Sequence, residues 1–197
     1  MMNNTKNQEW RTVPNIVSIL RIASVPILLI LAWFQYQTTF LVIFAIALAS
    51  DAIDGYLARK LNQITALGTK LDTWGDTAMY FTAPICGYLL WPDLIKEDLI
   101  TIAIFWIAFI IPIVAAIIKF GRMPSYHTFL AKTNTILLSF AVMVWFMFAY
   151  PWIFRFAVFL ELMIMIEYLA ITKYLKIWRG NIPTYWHATG RFGSTNN

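Results

Sequence analysis

The sequence predicts an all-α integral membrane protein, a bundle of six transmembrane helices, and three observations carry that expectation. Of the 197 residues, 60% are hydrophobic and only 13% charged, a balance outside that of soluble domains. Six stretches are apolar over the roughly 20 residues that a helix needs to cross a ~30 Å hydrocarbon layer. If those stretches alternate in direction, Lys96 and Arg155 are the only two of the fifteen lysines and arginines that fall away from one common side. Positive flanks are retained in the cytoplasm, so both termini are expected there.

The first window, residues 14–33, opens on Pro14, a residue suited to the first turn of a helix. It is long, contains Arg21 and lacks a small-residue cleavage pattern, so it reads as a retained span. The second and third windows, 40–58 and 72–90, are joined by a short cytoplasmic connection. A proline-bearing loop, WPDLIKED, leads to the fourth window at 99–119, and its Asp93, Glu97 and Asp98 read as solvated loop charge. The chain returns to the cytoplasm through KFGRMPSYHTFLAKTNT before the fifth window, 130–149. FAYPW then turns it into the sixth, 155–175, where Glu161 is an intramembrane acid and so a candidate functional residue.

From Ile177, Trp178, Tyr185 and Trp186 among basic residues suit the headgroup layer, where His187 reads as a surface residue. The organisation is therefore a juxtamembrane segment 1–13, one helical domain 14–176 and an interfacial tail 177–197. Cys86 has no partner for a disulfide and reads as a small core residue. The net charge of +5 is accounted for by anionic lipid headgroups and calls for no nucleic acid.

Within this apolar chain, DAIDGYLARKLNQITALGTKLDTWGD, residues 51–76, holds four of the ten acids. Asp51 and Asp54 are spaced i, i+3 and Asp72 and Asp76 i, i+4, so each pair shares a helix face. Antiparallel packing of the two helices would gather four carboxylates at one depth. Such a cluster cannot remain ionised without compensation. Divalent cations supply it, and all-oxygen ligands favour Mg²⁺ or Mn²⁺ over softer metals. Singly, Asp72 also reads as a first-turn acid favoured by the helix dipole. Gly55, Ala58 and Gly68 leave room for close approach to the backbone. Arg59 can grip a phosphate with two donors.

The spacing D-x2-D-G-x2-A-R-x8-G-x3-D-x3-D resembles the signature of the CDP-alcohol phosphatidyltransferases at every defined position. The resemblance implies transfer of a phosphatidyl group from a CDP-linked lipid to an alcohol with release of CMP. It also implies a six-helix bundle with a cytoplasm-facing active-site cavity. It implies two divalent cations on Asp51, Asp54, Asp72 and Asp76, with Asp76 also the base toward the acceptor hydroxyl. Gly55, Ala58, Arg59 and Gly68 would line the nucleotide and diphosphate. Membrane lipids, a homodimer and a bacterial inner or plasma membrane follow from the same likeness.

For the acceptor, P-N-x-x-S-x-x-R from Pro14 to Arg21 is similar to the opening of phosphatidylglycerophosphate synthases. The same residues also read as helix initiation with Arg21 snorkelling to the headgroups. Lys119, Arg122 and Lys132 are candidate ligands for a phosphate-bearing acceptor, glycerol 3-phosphate first and inositol phosphate, inositol or serine as alternatives. Ala131-Lys132 with Thr135 is loosely similar to the Gly-Lys-x-Lys-Thr segment of those synthases, but Asn134 stands where their second lysine would be. His127 is a further candidate for orienting the acceptor. A divalent-cation transporter is the competing class; it explains the carboxylates and gives Arg59 no role.

Overall fold

The computed structural model describes residues 12–60, 65–124, 126, 128–178, 182 and 184; within its helices, the side chains of residues 13, 14, 51–59, 66, 69, 72 and 73 lie outside that description. The described chain is all-helical: α1 (Val13–Trp33), α2 (Gln37–Lys60), α3 (Ala66–Leu90), the short α4 (Pro92–Glu97), α5 (Leu99–Phe120), α6 (Phe129–Phe148) and α7 (Trp152–Tyr174). Each of the six apolar windows falls on one of the six long helices. Helices close all their backbone hydrogen bonds within one segment, which a bilayer demands. By length and composition three described stretches are apolar enough to cross a membrane: Asn15–Trp33 of α1, α5 and α6. The other long helices carry the aspartates of α2 and α3 and the glutamates of α7.

The chain divides into two compact units, Met1–Lys96 and Glu97–Asn197. In the first, α1 packs against both α2 and α3. Its core holds Leu28 and Ala32 from α1, Phe40 and Phe44 from α2, and Cys86 and Leu90 from α3. Phe44 stacks on Phe40 at 5.5 Å, and Trp91 meets Phe40 edge-on at 6.0 Å. The apolar residues Leu20, Ile30, Ile46 and Ile85 are exposed, as suits surfaces solvated by lipid tails. The turn from α1 to α2 is tight, with Gln35 at φ 62°. That left-handed conformation is uncommon for a residue with a side chain. Here the Gln35 amide donates to Leu89 O at 2.7 Å, and Gln37 donates to Leu90 O at 3.3 Å. Both carbonyls belong to the last turn of α3, whose carbonyls lack helical partners.

In the second unit α7 is the shared helix, packing against α5 and α6. Alanines at 108 and 116 of α5, 141 of α6 and 157 of α7 are buried, and their small size permits close helix approach. Trp145 of α6 stacks on Phe154 of α7 at 4.6 Å. Gly121 ends α5 at φ 64°, a left-handed cap that glycine adopts without steric cost. Thr128 starts α6 by accepting the Ala131 N–H through its hydroxyl.

Two expectations change. Asp98 is not solvated loop charge: it is 3% exposed and accepts from Arg155 Nε at 2.7 Å and the Thr101 hydroxyl at 3.2 Å. Arg155 in turn lies over the Trp152 ring at 4.8 Å. The pair joins the start of α5 to the start of α7 and leaves neither ion alone in an apolar setting. Replacing Arg155 by methionine keeps the apolar stem and strands the Asp98 carboxylate. The expected result is a lower thermal midpoint in detergent, partly restored in the Asp98→Asn/Arg155→Met double variant. An unchanged midpoint in Arg155→Met would show that the pair carries no stability.

The second change concerns α3, which begins at Ala66, six residues before the apolar window. Asp72 therefore stands in the second turn, and no acid occupies the first. The helix-dipole account of Asp72 lapses, because that effect fades beyond the first turn.

Candidate active site

The backbone of α2 carries Asp51, Asp54, Gly55, Ala58 and Arg59 in its last three turns, and that of α3 carries Gly68, Asp72 and Asp76. The side chains of Asp51, Asp54, Ala58, Arg59 and Asp72 lie outside the described positions, as does His127. Among the described residues no group of three or more His, Cys, Asp or Glu lies together. Of the four motif aspartates, Asp76 is the one whose surroundings are described, and they centre on α1.

Arg21 turns inward from α1; it does not snorkel. Its side chain is 1% exposed, and Nη1 lies 3.3 Å from Asp76 Oδ1, with Asp76 32% exposed. Its Nε donates to the Ser50 hydroxyl at 3.4 Å, and Ser50 donates to Ala47 O at 2.7 Å. Gly75 makes space for this arginine: a Cβ there would stand 3.3 Å from Arg21 Cδ.

Six residues earlier on α1, Asn15 is 1% exposed and donates through Nδ2 to Thr65 Oγ1 at 3.0 Å. Thr65 caps α3, accepting the Gly68 N–H at 2.9 Å. A Cβ on Gly68 would collide with Asn15 Oδ1 and stand 3.0 Å from Thr65 Oγ1. Within the described surroundings, Gly68 is thus required by the approach of α1, a need its place in the motif did not reveal.

The candidate acceptor residues belong to the second unit, where each has its own surroundings. Lys119 Nζ donates to Thr172 O and Lys173 O, both at 2.9 Å, and so satisfies the carbonyls at the end of α7. Arg122 lies over the Trp178 ring at 5.6 Å, and the Trp178 indole donates to Met123 O at 3.1 Å. Lys132 is exposed in the first turn of α6. Asn134, in place of a second lysine, is 1% exposed and donates to Glu161 Oε2 at 2.8 Å and Ala157 O at 3.2 Å. Glu161 thus pairs with an amide across α6 and α7. Tyr126, fully buried, shares a 2.9 Å hydrogen bond with the Thr172 hydroxyl. Burial pushes its phenol above the ordinary value, and the Thr172 bond partly offsets this. Its carbonyl accepts the Ile182 N–H at 2.7 Å, which ties the tail to the loop before α6.

Three membrane-length apolar stretches and an aspartate motif on two further helices, all within the described residues, are consistent with a membrane-lipid enzyme. The chain belongs to the CDP-alcohol phosphatidyltransferase family, whose model matches residues 11–173. It is 32% identical over 139 residues to a cardiolipin synthase (CMP-forming) of Streptomyces coelicolor, covering 66% of this chain and 62% of that protein. It is 38% identical over 74 residues to a CDP-diacylglycerol–glycerol-3-phosphate 3-phosphatidyltransferase of Pseudomonas fluorescens, covering 36% of this chain and 38% of that one. A putative cardiolipin synthase of Mycobacterium bovis is 29% identical over 165 residues, 73% of this chain and 79% of its own length. The first two matches thus span less than two thirds of those relatives. No solved structure matches the chain.

Proposed function

We propose that this protein transfers a phosphatidyl group from CDP-diacylglycerol to an alcohol, releasing CMP, with the hydroxyl of phosphatidylglycerol as acceptor and cardiolipin as product. The observation that carries the acceptor is the Asn134–Glu161 pair. An amide bonded to a carboxylate stands at Asn134, where the loosely similar segment of the glycerophosphate-accepting synthases carries its second lysine. Lys119 and Arg122 meanwhile already serve helix-end carbonyls and an indole ring. Such a segment suits a hydroxyl-bearing head better than a free phosphate dianion. The relatives with the broader matches reported above are named as cardiolipin synthases. Glycerol 3-phosphate is the second reading, favoured by the Pro14-to-Arg21 opening and by the Pseudomonas relative.

In this reading all six long helices span the bilayer and both termini are cytoplasmic. Support comes from α2, α3 and α7, which at 24, 25 and 23 residues match the apolar helices in length. The distribution of lysine and arginine supports the same orientation. The active site would open to the cytoplasm, in a bacterial inner or plasma membrane, and the enzyme would work as a homodimer.

The donor set fits hard divalent cations: two carboxylate pairs in helical register, on helices that both pack on α1. Asp51, Asp54, Asp72 and Asp76 would hold two Mg²⁺ or Mn²⁺ ions, which when bound neutralise the diphosphate and stabilise the departing CMP. Arg59 contributes two donors to the diphosphate, with Gly55, Ala58 and Gly68 admitting the nucleotide. Asp76 accepts the proton of the acceptor hydroxyl as its oxygen attacks the phosphatidyl phosphorus. The bond from that phosphorus to the bridging oxygen breaks, and CMP carries the electron pair away.

The test is one assay of purified protein with radiolabelled CDP-diacylglycerol, a divalent cation and a panel of acceptors. CMP release with cardiolipin formation is expected for phosphatidylglycerol. Product from glycerol 3-phosphate alone would replace the first reading by the second. Product from inositol phosphate, inositol or serine alone would overturn both. Metal flux into liposomes without CMP release would identify a transporter.

A further inference from the structure

We propose that Arg21 is a positioning residue for catalysis: it fixes the orientation of the Asp76 carboxylate from a buried seat on α1. The inference rests on the reading of Asp76 as the base. Arg21 is itself too buried to meet a substrate, at 1% side-chain exposure, whereas Asp76 keeps about a third of its surface open. Its influence therefore passes through the carboxylate.

Among the described residues, three features hold the guanidinium. Nε is engaged with Ser50 on α2, and Nη1 with Asp76 on α3. Gly75, one residue before Asp76, supplies the space in which the arginine stem lies. At 3.3 Å the contact to Asp76 is longer than the ~2.8 Å of a tight charge-assisted bond. It works as a directional tether on Oδ1, limiting rotation of the carboxylate about its last torsion. Ser50 adjoins Asp51 in the chain, so one side chain spans from the base to the residue next to the first aspartate pair. A planar guanidinium with donors on both edges can make that span; an ammonium, with donors at one point, cannot.

Misplacing a reacting group by about 1 Å can cost on the order of 100-fold in rate. Arg21→Met, which keeps the apolar stem, is therefore expected to lower kcat by about 100-fold, with the KM for CDP-diacylglycerol within about threefold of wild type. Arg21→Lys restores part of the loss, because it returns the charge without the second donor edge. In the Asp76→Asn background, Arg21→Met is expected to add less than about threefold, since residues acting as a unit are non-additive.

A full 100-fold further loss in that background would overturn the proposal while leaving the base assignment intact. Wild-type turnover in Asp76→Asn would overturn the base assignment and the proposal with it. A raised KM with unchanged kcat in Arg21→Met would also overturn it, by showing a role in binding. Should Arg21→Met fail to fold, Ser50→Ala loosens the same arginine from its other end. A severalfold fall in kcat at constant KM is then expected, and an unchanged kcat would refute the tether.

Discussion

Asp76→Asn is expected to lower kcat by about 1,000-fold, the middle of the range for removing a general base, while CDP-diacylglycerol binding is largely spared. Asparagine has nearly the shape of aspartate, so Arg21 retains an oxygen to bond. With Asp76 as the proposed base, what disappears is the capacity to take a proton from the acceptor hydroxyl. Asp51→Asn and Asp54→Asn are expected to behave differently, weakening retention of divalent cation and binding of the nucleotide as well as turnover. The comparison is made with single-turnover rates beside equilibrium binding of CDP-diacylglycerol and of Mn²⁺ to each variant. Wild-type turnover in Asp76→Asn would remove it from the base role. Identical binding and rate defects in all three variants would show one undivided function for the carboxylates.

Gly68→Ala is the second large effect, and two opposing terms decide its sign. Alanine favours a helix interior by about 1 kcal/mol over glycine, less in a first turn. Against this, the new methyl meets Asn15 Oδ1, an atom on a side chain that is 1% exposed and bonded to the Thr65 cap. Asn15 has little room to give way. Displacing it leaves a buried amide unsatisfied, at roughly 1–3 kcal/mol, and loosens the cap, at about 1 kcal/mol. The net expectation is destabilisation of about 1–3 kcal/mol, seen as a lower thermal midpoint. The Asn15→Ala/Gly68→Ala double variant should be more stable than the sum of its single effects, because the collision is then absent. Additive losses would place the glycine's importance elsewhere.

Much of the fold was legible because long apolar runs leave little choice of structure in a bilayer. The start of α3 was not. Its first turns, ALGTKL, contain glycine, threonine and lysine and carry little apolar signal. The available clue was Thr65, a capping residue placed three before the N–H it accepts.

Of the candidate site, the motif positions and their helical register could be read directly, since spacing within one helix is local information. Pairings between helices could not. Asp98 and Arg155 are 57 positions apart, and Arg21 and Asp76 are 55 apart. The role of Lys119 was hidden for another reason: its partners are backbone carbonyls, which every residue has. In the sequence Asn134 stands out as a departure from a pattern and Glu161 as an acid within an apolar window. Only their 2.8 Å bond makes them a single feature.

The place of α1 between α2 and α3 has a consequence for how such an enzyme can diverge. This helix contributes no aspartate to the motif, yet it touches both helices that carry one. Interiors packed as densely as organic crystals transmit a change of even one methylene to their neighbours. Substitutions at buried α1 positions such as Leu28 and Ala32 can therefore alter the alignment of the two aspartate-bearing helices while every motif residue stays the same. Variation in reactivity between otherwise identical motifs would then be written in the first helix.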